Sequence, residues 1–327
     1  MKIAYFGTDF FSISTLKHIV NHPSISHLDI ITRLPKPSGR GLKSIKESPL
    51  ATFAKSNDLN LLYAESKQDF EKLKHQYDLA VAVSFGQLIP ALFLDTLKYP
   101  GLNVHPSLLP KYSGPAPLQR ALLNNDKITG VTLQNLHPTH FDKGDILLQE
   151  THPIQQNETL LSLSESLANK GGEMLSYCLS NGLFDPSSPN YKTLKPQYPY
   201  SYAAKIKPAE REISWSSPSD YVIRQFNTLG PLYTFKPALK KDGSTVHKRI
   251  VLDNIVKSNR ILSVSDEILP NGTFILGDND QLDIKCHDSF ASVGTIKTEG
   301  IGSESPTKFV NSLSKKFGNT ENIFISI

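Results

Sequence analysis

Cysteine is nearly absent: the 327 residues contain only Cys178 and Cys286. Two thiols so far apart exclude a disulfide framework and any cysteine-based zinc spacing, and both read as ordinary thiols of a reducing compartment. Long apolar runs are also missing. No stretch approaches the roughly 18–20 consecutive apolar residues of a membrane helix, so no membrane partner is expected. Neither a secretory signal nor an Arg-rich presequence is expected ahead of the fold, because residues 2–6 (KIAYF) already read as a buried strand. An organellar import signal would have to overlap the folded part or have been trimmed. Charge of one sign is not in large excess, with Lys+Arg 35 against Asp+Glu 31 and a formal net charge of +4. That balance admits an anionic partner without requiring one.

What is present reads as α/β. KIAYF runs into Gly7 and Thr8, then into a helical pattern carrying Phe11, Leu16, Ile19 and Val20. Strand, glycine turn, helix opens a nucleotide-binding-like unit. The full G-x-G-x-x-G is missing, so the glycine reads as a tight βα turn. Residues 27–32 form a second strand. Between 33 and 50 lie Arg33, Lys36, Arg40, Lys43 and Lys46, with Glu47 the only acid; three prolines and two glycines make the segment a loop. It is either a solvated basic loop or an arm that contacts phosphates. A helix over 49–56, a strand over 61–64 and a helix over 69–77 follow. Residues 79–85 (LAVAVSF) form a central parallel strand buried on both faces, with Gly86 to Pro90 at its carboxyl end. A helix is expected over 115–124, strands over 130–136 and 145–151, and an amphipathic helix over 159–179.

From 184 to 202 the pattern changes to four prolines without helical period, a linker. The expected organisation is therefore a domain over 1–184, a linker over 185–206 and a second domain over 207–327. The second begins with a helix over 219–226. Short strands over 232–237, 249–256, 272–276, 282–286 and 292–296 suggest a small β-barrel. There Lys236, Lys240, Lys241, Lys248, Arg249, Lys257 and Arg260 outnumber Asp242 and Asp253. One basic face on such a barrel can track a sugar-phosphate backbone; a solvated face is the alternative.

Residues 101–146 carry the chemistry. Asn103 and His105 share parity, so on a strand both leave from one face while Val104 faces a core. Pro106 stops the strand and keeps His105 extended. The histidine thus sits at a strand end, where open α/β sheets bind ligands. It can take a proton or stabilise an oxyanion, and the Asn amide adds a donor. Asp142, after the next apolar run, is the candidate to orient the ring. Together they suit transfer of an acyl-type group to an amine without a covalent enzyme intermediate. On residue type alone the alternative stays open: strand-end histidines are often structural, and turn Asn and Asp often cap backbone. His137 and His140 flank the same turn, but their spacing offers no further ligand, so no metal is expected.

The order NVHPSLLPKYSGPAPLQRALLNND, TGVTLQNL, DKGDIL resembles the formyltransferases that use 10-formyltetrahydrofolate, most closely those acting on methionyl-tRNA. The resemblance implies a Rossmann-like formyltransferase domain with a mostly parallel sheet, followed by an OB-like tRNA-binding barrel. It implies that Asn103 and His105 hold the formyl oxygen while Asp142 orients His105. Ser107, Leu108, Leu109 and Pro110, with the backbone of Phe85, Gly86, Gln87, Leu88 and Ile89, would contact the folate donor. The Gly39-Arg40-Gly41 core implies that the basic loop, with Arg33, Lys36, Arg40, Lys43 and Lys46, meets the acceptor stem. Lys240, Lys241, Lys248 and Arg249 would contact tRNA from the barrel. The implied reaction formylates the α-amine of initiator methionyl-tRNA. A small amine as acceptor (a ribonucleotide or an amino-sugar nucleotide), or a non-catalytic RNA-binding protein, are the alternatives. A monomer is expected, in the mitochondrial matrix or alternatively the bacterial cytoplasm. Two departures stand out: Asp9-Phe10 where the family reads Pro-Asp, and Ser113 where many members carry Arg.

Overall fold

The first strand, Lys2–Gly7 (β1), buries Ile3, Ala4, Tyr5 and Phe6 completely in a computed structural model that describes residues 1–38, 41 and 44–327. Helix Phe10–Lys17 (α1) follows, started by Asp9, whose carboxylate accepts from Ser12 N at 3.0 Å. The departure at Asp9 is thus a helix cap. Strand His27–Thr32 (β2) matches its expected range. The basic segment is not wholly irregular: Lys36–Ser38 (β3) and Ser44–Lys46 (β4) pair antiparallel. Such a two-stranded ribbon tolerates Pro37, because among the described residues no further strand pairs with it and needs its missing N–H. Then come Pro49–Ser56 (α2), Asn60–Tyr63 (β5), Lys67–Leu73 (α3) and Leu79–Val83 (β6). Helix α3 stops short of residue 77 because Lys74 is extended and His75 takes φ +60. That turn sends the Tyr77 hydroxyl to Asp29 at 2.6 Å.

Strand β6 ends at Val83 because Ser84 takes φ +50. The chain continues through Ala91–Leu94 (α4), Leu102–His105 (β7), Pro117–Leu123 (α5), Ile128–Asn135 (β8), Ile146–Pro153 (β9) and Leu160–Asn181 (α6). The sheet order is β5-β2-β1-β6-β7-β8-β9, parallel through β7 and antiparallel from β7 to β9. Connections from β1 run to β2 on one side while β6 lies on the other, the order reversal whose carboxyl ends hold ligands in such sheets.

The chain divides into two units, Met1–Gln155 with Leu161–Lys205, and Gln156–Leu160 with Ile206–Ile327. The proline-rich stretch ends against the first unit. Ser113 N donates to Ser201 O at 2.9 Å and Ala203 N to Ser113 O at 2.7 Å.

The second unit holds Ser219–Leu229 (α7), Leu232–Leu239 (β10), Thr245–Lys257 (β11), Val264–Glu267 (α8), Phe274–Leu276 (β12), Leu282–Lys285 (β13), Phe290–Thr298 (β14) and Gly302–Glu304 (β15). Helices Pro306–Asn311 (α9) and Leu313–Phe317 (α10) close it. Its strands form an antiparallel, curled sheet, β10-β11-β14-β13-β12 with β15 on β14, as in a small barrel. Strand β15 and helices α8, α9 and α10 have no counterpart in the expected pattern, although Ser305-Pro306 is an N-cap and N1 signal.

Lys236 corrects the charge reading. It faces inward and is fully buried, its ammonium donating to Thr320 Oγ1 at 2.8 Å and Glu321 O at 2.6 Å. Alternation on β10 puts Lys236 with Thr234 and Ala238 on the core side, so it contributes nothing to an outer face.

Candidate active site

Strand β7 places Asn103 half-buried and His105 7 % exposed on one face, with Val104 on the other. Gly171 lets α6 approach that other face, since a Cβ there would stand 2.7 Å from Val104 Cγ1. The parity argument therefore holds: the two polar side chains are left facing away from the helix.

His105 Nδ1 lies 3.4 Å from Asp142 Oδ1, and Nε2 lies 3.1 Å from Tyr112 O. Both side chains of the pair are 9 % exposed. Carboxylate and carbonyl are acceptors only, and a neutral imidazole donates once, so both contacts are hydrogen bonds only when the ring is protonated. Asp142 Oδ2 accepts from Gly114 N at 2.8 Å and Ser113 Oγ at 3.3 Å. Ser113, the second departure, thus spends its hydroxyl on the carboxylate. Asp142 itself takes φ +55. Gly144 packs so closely that a Cβ would sit 1.7 Å from Asn135 O. The backbone at the end of β8 therefore dictates where the aspartate stands.

The turn that supplies Tyr112 O, Ser113 Oγ and Gly114 N is itself held by the chain around residue 201. Tyr112 N donates to Ser201 Oγ at 2.9 Å, and Arg120 Nη2 to Ala204 O at 2.8 Å. Thr132, opposite His105 on β8, is a second fixing point. Its hydroxyl donates to Ser107 O at 2.6 Å and accepts from Leu109 N at 3.0 Å and Gln149 Nε2 at 2.8 Å. Thr132 carries no signal in the sequence, because only strand register sets it opposite His105.

The proposed folate contacts divide. Phe85 and Ile89 are core residues, Phe85 lying against Phe6 at 5.2 Å between ring centroids. Leu88 is half-buried, and Gln87 Nε2 donates to Glu65 O at 2.5 Å. Gly86 is exposed at φ +71, with nothing within 4 Å of where a Cβ would stand. Ser107, Leu108 and Leu109 are buried and Pro110 is half-buried after a cis bond. Among these side chains most are buried or half-buried, and the exposed position is the backbone at Gly86.

The proposed RNA contacts divide as well. Arg33 Nε and Lys36 Nζ both pair with Glu65, at 2.7 Å and 3.3 Å. Lys46 is exposed; Arg40 and Lys43 lie outside the described residues. Lys240, Lys241 and Arg249 are exposed, and the Arg249 guanidinium stacks 3.9 Å above the Tyr233 ring. Lys248 is half-buried, with its ammonium on Lys316 O at 2.9 Å. Consecutive residues on β11 face opposite ways, so Lys248 and Arg249 share no face.

Around Asp142 the two histidines serve the turn. His137 Nδ1 accepts from Thr139 N and His140 N, each at 3.2 Å.

A family model described as formyl transferase matches residues 1–179, and one described as formyl transferase, C-terminal domain, matches 205–314. Methionyl-tRNA formyltransferase of Caldicellulosiruptor saccharolyticus is 30 % identical over 98 % of this chain and 99 % of its own. That of Ehrlichia canis is 31 % identical over 92 % and 93 %. Among solved structures, the sugar 3N-formyl transferase WlaRD, crystallised with 5-N-formyl-THF, superposes with a TM-score of 0.56 at 19 % identity. It aligns over 92 % of this chain and 98 % of its own. HypX from Aquifex aeolicus, in complex with tetrahydrofolic acid, gives 0.57 at 15 % identity over 96 % of this chain and 48 % of its own. At those identities the two structures speak for the fold.

Proposed function

The chain belongs to the formyl transferase family, and we propose that it moves the formyl group of 10-formyltetrahydrofolate to the α-amine of initiator methionyl-tRNA. The observation that carries the chemistry is the His105–Asp142 pair at the carboxyl end of β7, with Asn103 on the same face. The open backbone at Gly86, at the end of the neighbouring β6, suits the edge of a flat heterocycle.

In the reaction the amine nitrogen bonds to the formyl carbon and an electron pair moves onto the formyl oxygen. Asn103 Nδ2 and the His105 ring donate to that oxygen. Tyr112 O holds the His105 Nε2 proton at rest, so substrate must exchange with this carbonyl, a tightening expected on binding. When the pair returns, the bond from carbon to the donor nitrogen breaks, and that nitrogen takes up a proton. The excess proton of the attacking amine leaves through the Asp142 carboxylate and water. Asp142 also holds the orientation of the His105 ring through Nδ1.

For RNA, the reading rests on the Arg40 loop and, in the second unit, on Lys240, Lys241 and Arg249 with Tyr233. We take that curled sheet as OB-like. We propose the mitochondrial matrix over the bacterial cytoplasm, and a monomer; imaging in the source cell and sedimentation test these.

The deciding assay offers 10-formyltetrahydrofolate with charged initiator tRNA, charged elongator tRNA and a panel of small amines. Formylation of the initiator is expected. Turnover of an amino-sugar nucleotide alone would move the protein to the small-amine reading. No turnover together with no folate binding would leave a non-catalytic RNA-binding protein.

A further inference from the structure

Directly across the sheet from Asn103 stands Gln134 of β8. Opposed residues of an antiparallel pair leave on the same face with Cβ atoms about 4.5–5.5 Å apart. The Gln134 amide therefore shares the reaction face with Asn103, as Thr132 shares it with His105. Gln134 is 1 % exposed, and its Oε1 has no hydrogen-bond partner among the described residues. A buried amide oxygen without a donor destabilises a fold, and an apolar residue of the same shape would not. The β8–β9 register also shifts here, Leu133 facing Leu148 and Gln134 facing Ile146, an irregularity of the kind found beside active sites.

We propose that Gln134 is a positioning residue for formyl transfer, its Oε1 accepting one Nδ2 proton of Asn103 so that the other points at the formyl oxygen. An unrestrained Asn amide can turn over and present its own oxygen to the substrate, which would repel the developing negative charge. A fixed acceptor on one side forbids that orientation. The buried oxygen is thereby satisfied when the site is engaged, which gives a reason for a polar side chain at this buried position of β8.

The inference rests on the formyl-transfer reading, and the test separates the two. Wild type, Gln134→Met, Asn103→Ala and the double variant are assayed with 10-formyltetrahydrofolate and methionyl-tRNA, alongside thermal melting. Gln134→Met should lower kcat about tenfold, the worth of one lost hydrogen bond, with KM for tRNA unchanged and melting temperature unchanged or higher. In the double variant, losing Gln134 should cost nothing beyond Asn103→Ala. Gln134→Leu, different in shape, should give the same kcat loss. A wild-type kcat in Gln134→Met overturns the proposal. So do losses that multiply in the double variant, or a fall in melting temperature that tracks kcat across Met and Leu. A wild-type enzyme inactive on methionyl-tRNA would instead fell the underlying reading.

Discussion

Lys236→Met isolates a lysine that a count of charges places with a basic outer face and the structure places in the core. Burial holds its ammonium down to about 8 from an ordinary 10.5, with Glu321 pulling the other way. At about 1.4 kcal/mol per pH unit, the charged side chain costs the native state roughly 3 kcal/mol at neutral pH. Between pH 8 and 10.5 the native state has released the proton while the unfolded chain still binds it, so stability rises with pH in that window. Methionine carries no proton, and its variant lacks that rise. At pH 7 it escapes the burial cost but leaves Thr320 Oγ1 and Glu321 O without a donor, each worth about 1–3 kcal/mol. The two should nearly cancel. Expected, then, is near-equal stability at pH 7 and a variant weaker than wild type by about 3 kcal/mol at pH 10.5. The only tryptophan, Trp215, is 3 % exposed and bonded to Thr234 in the same unit, so its fluorescence in urea reports the unfolding. A difference that does not change with pH would refute the placement of this ammonium. So would a tRNA-binding salt slope reduced by about 1, the signature of a lost phosphate contact.

Asp142→Asn should lower kcat by about 10²–10⁴ with tRNA affinity kept, since it removes the charge beside His105 Nδ1; retained turnover would end the mechanism. Gly144→Ala drives a Cβ into Asn135 O, a backbone atom of β8 that cannot retreat. Stability should fall by about 2–4 kcal/mol with activity lost alongside, and a melting curve like wild type would contradict the packing. Asp266 is held down to about 2, first by its bond from Arg260 and then by Ser263. Its contribution is complete above the ordinary carboxylate range near 4 and disappears as pH falls toward 2. Asp266→Asn should therefore lose less on acidification over that window, read again by Trp215.

Periodicity made much of the first unit legible. The ranges of β2 and α2 were anticipated residue for residue, because apolar alternation and a Ser-Pro start are local signals. Helix α3 and strand β6 overran because their ends are set by left-handed residues, His75 and Ser84, whose conformations serve distant partners. The face shared by Asn103 and His105 followed from parity, and Asp142 from the need for an orienting carboxylate. Gln134 and Thr132 were missed because their importance lies in which residue stands opposite on the next strand.

Short-range order along the chain was enough to name the chemistry: a donor amide, an imidazole and a carboxylate in a recognisable order. Which groups hold them was a matter of the third dimension. Tyr112 O, Ser113 Oγ and Gly114 N reach the pair only because strand register and a turn pinned near residue 201 bring them there. The same holds for charge. A lysine reads alike in any sequence window, and only burial separates Lys236, spent inside a core, from Arg249, left facing solvent.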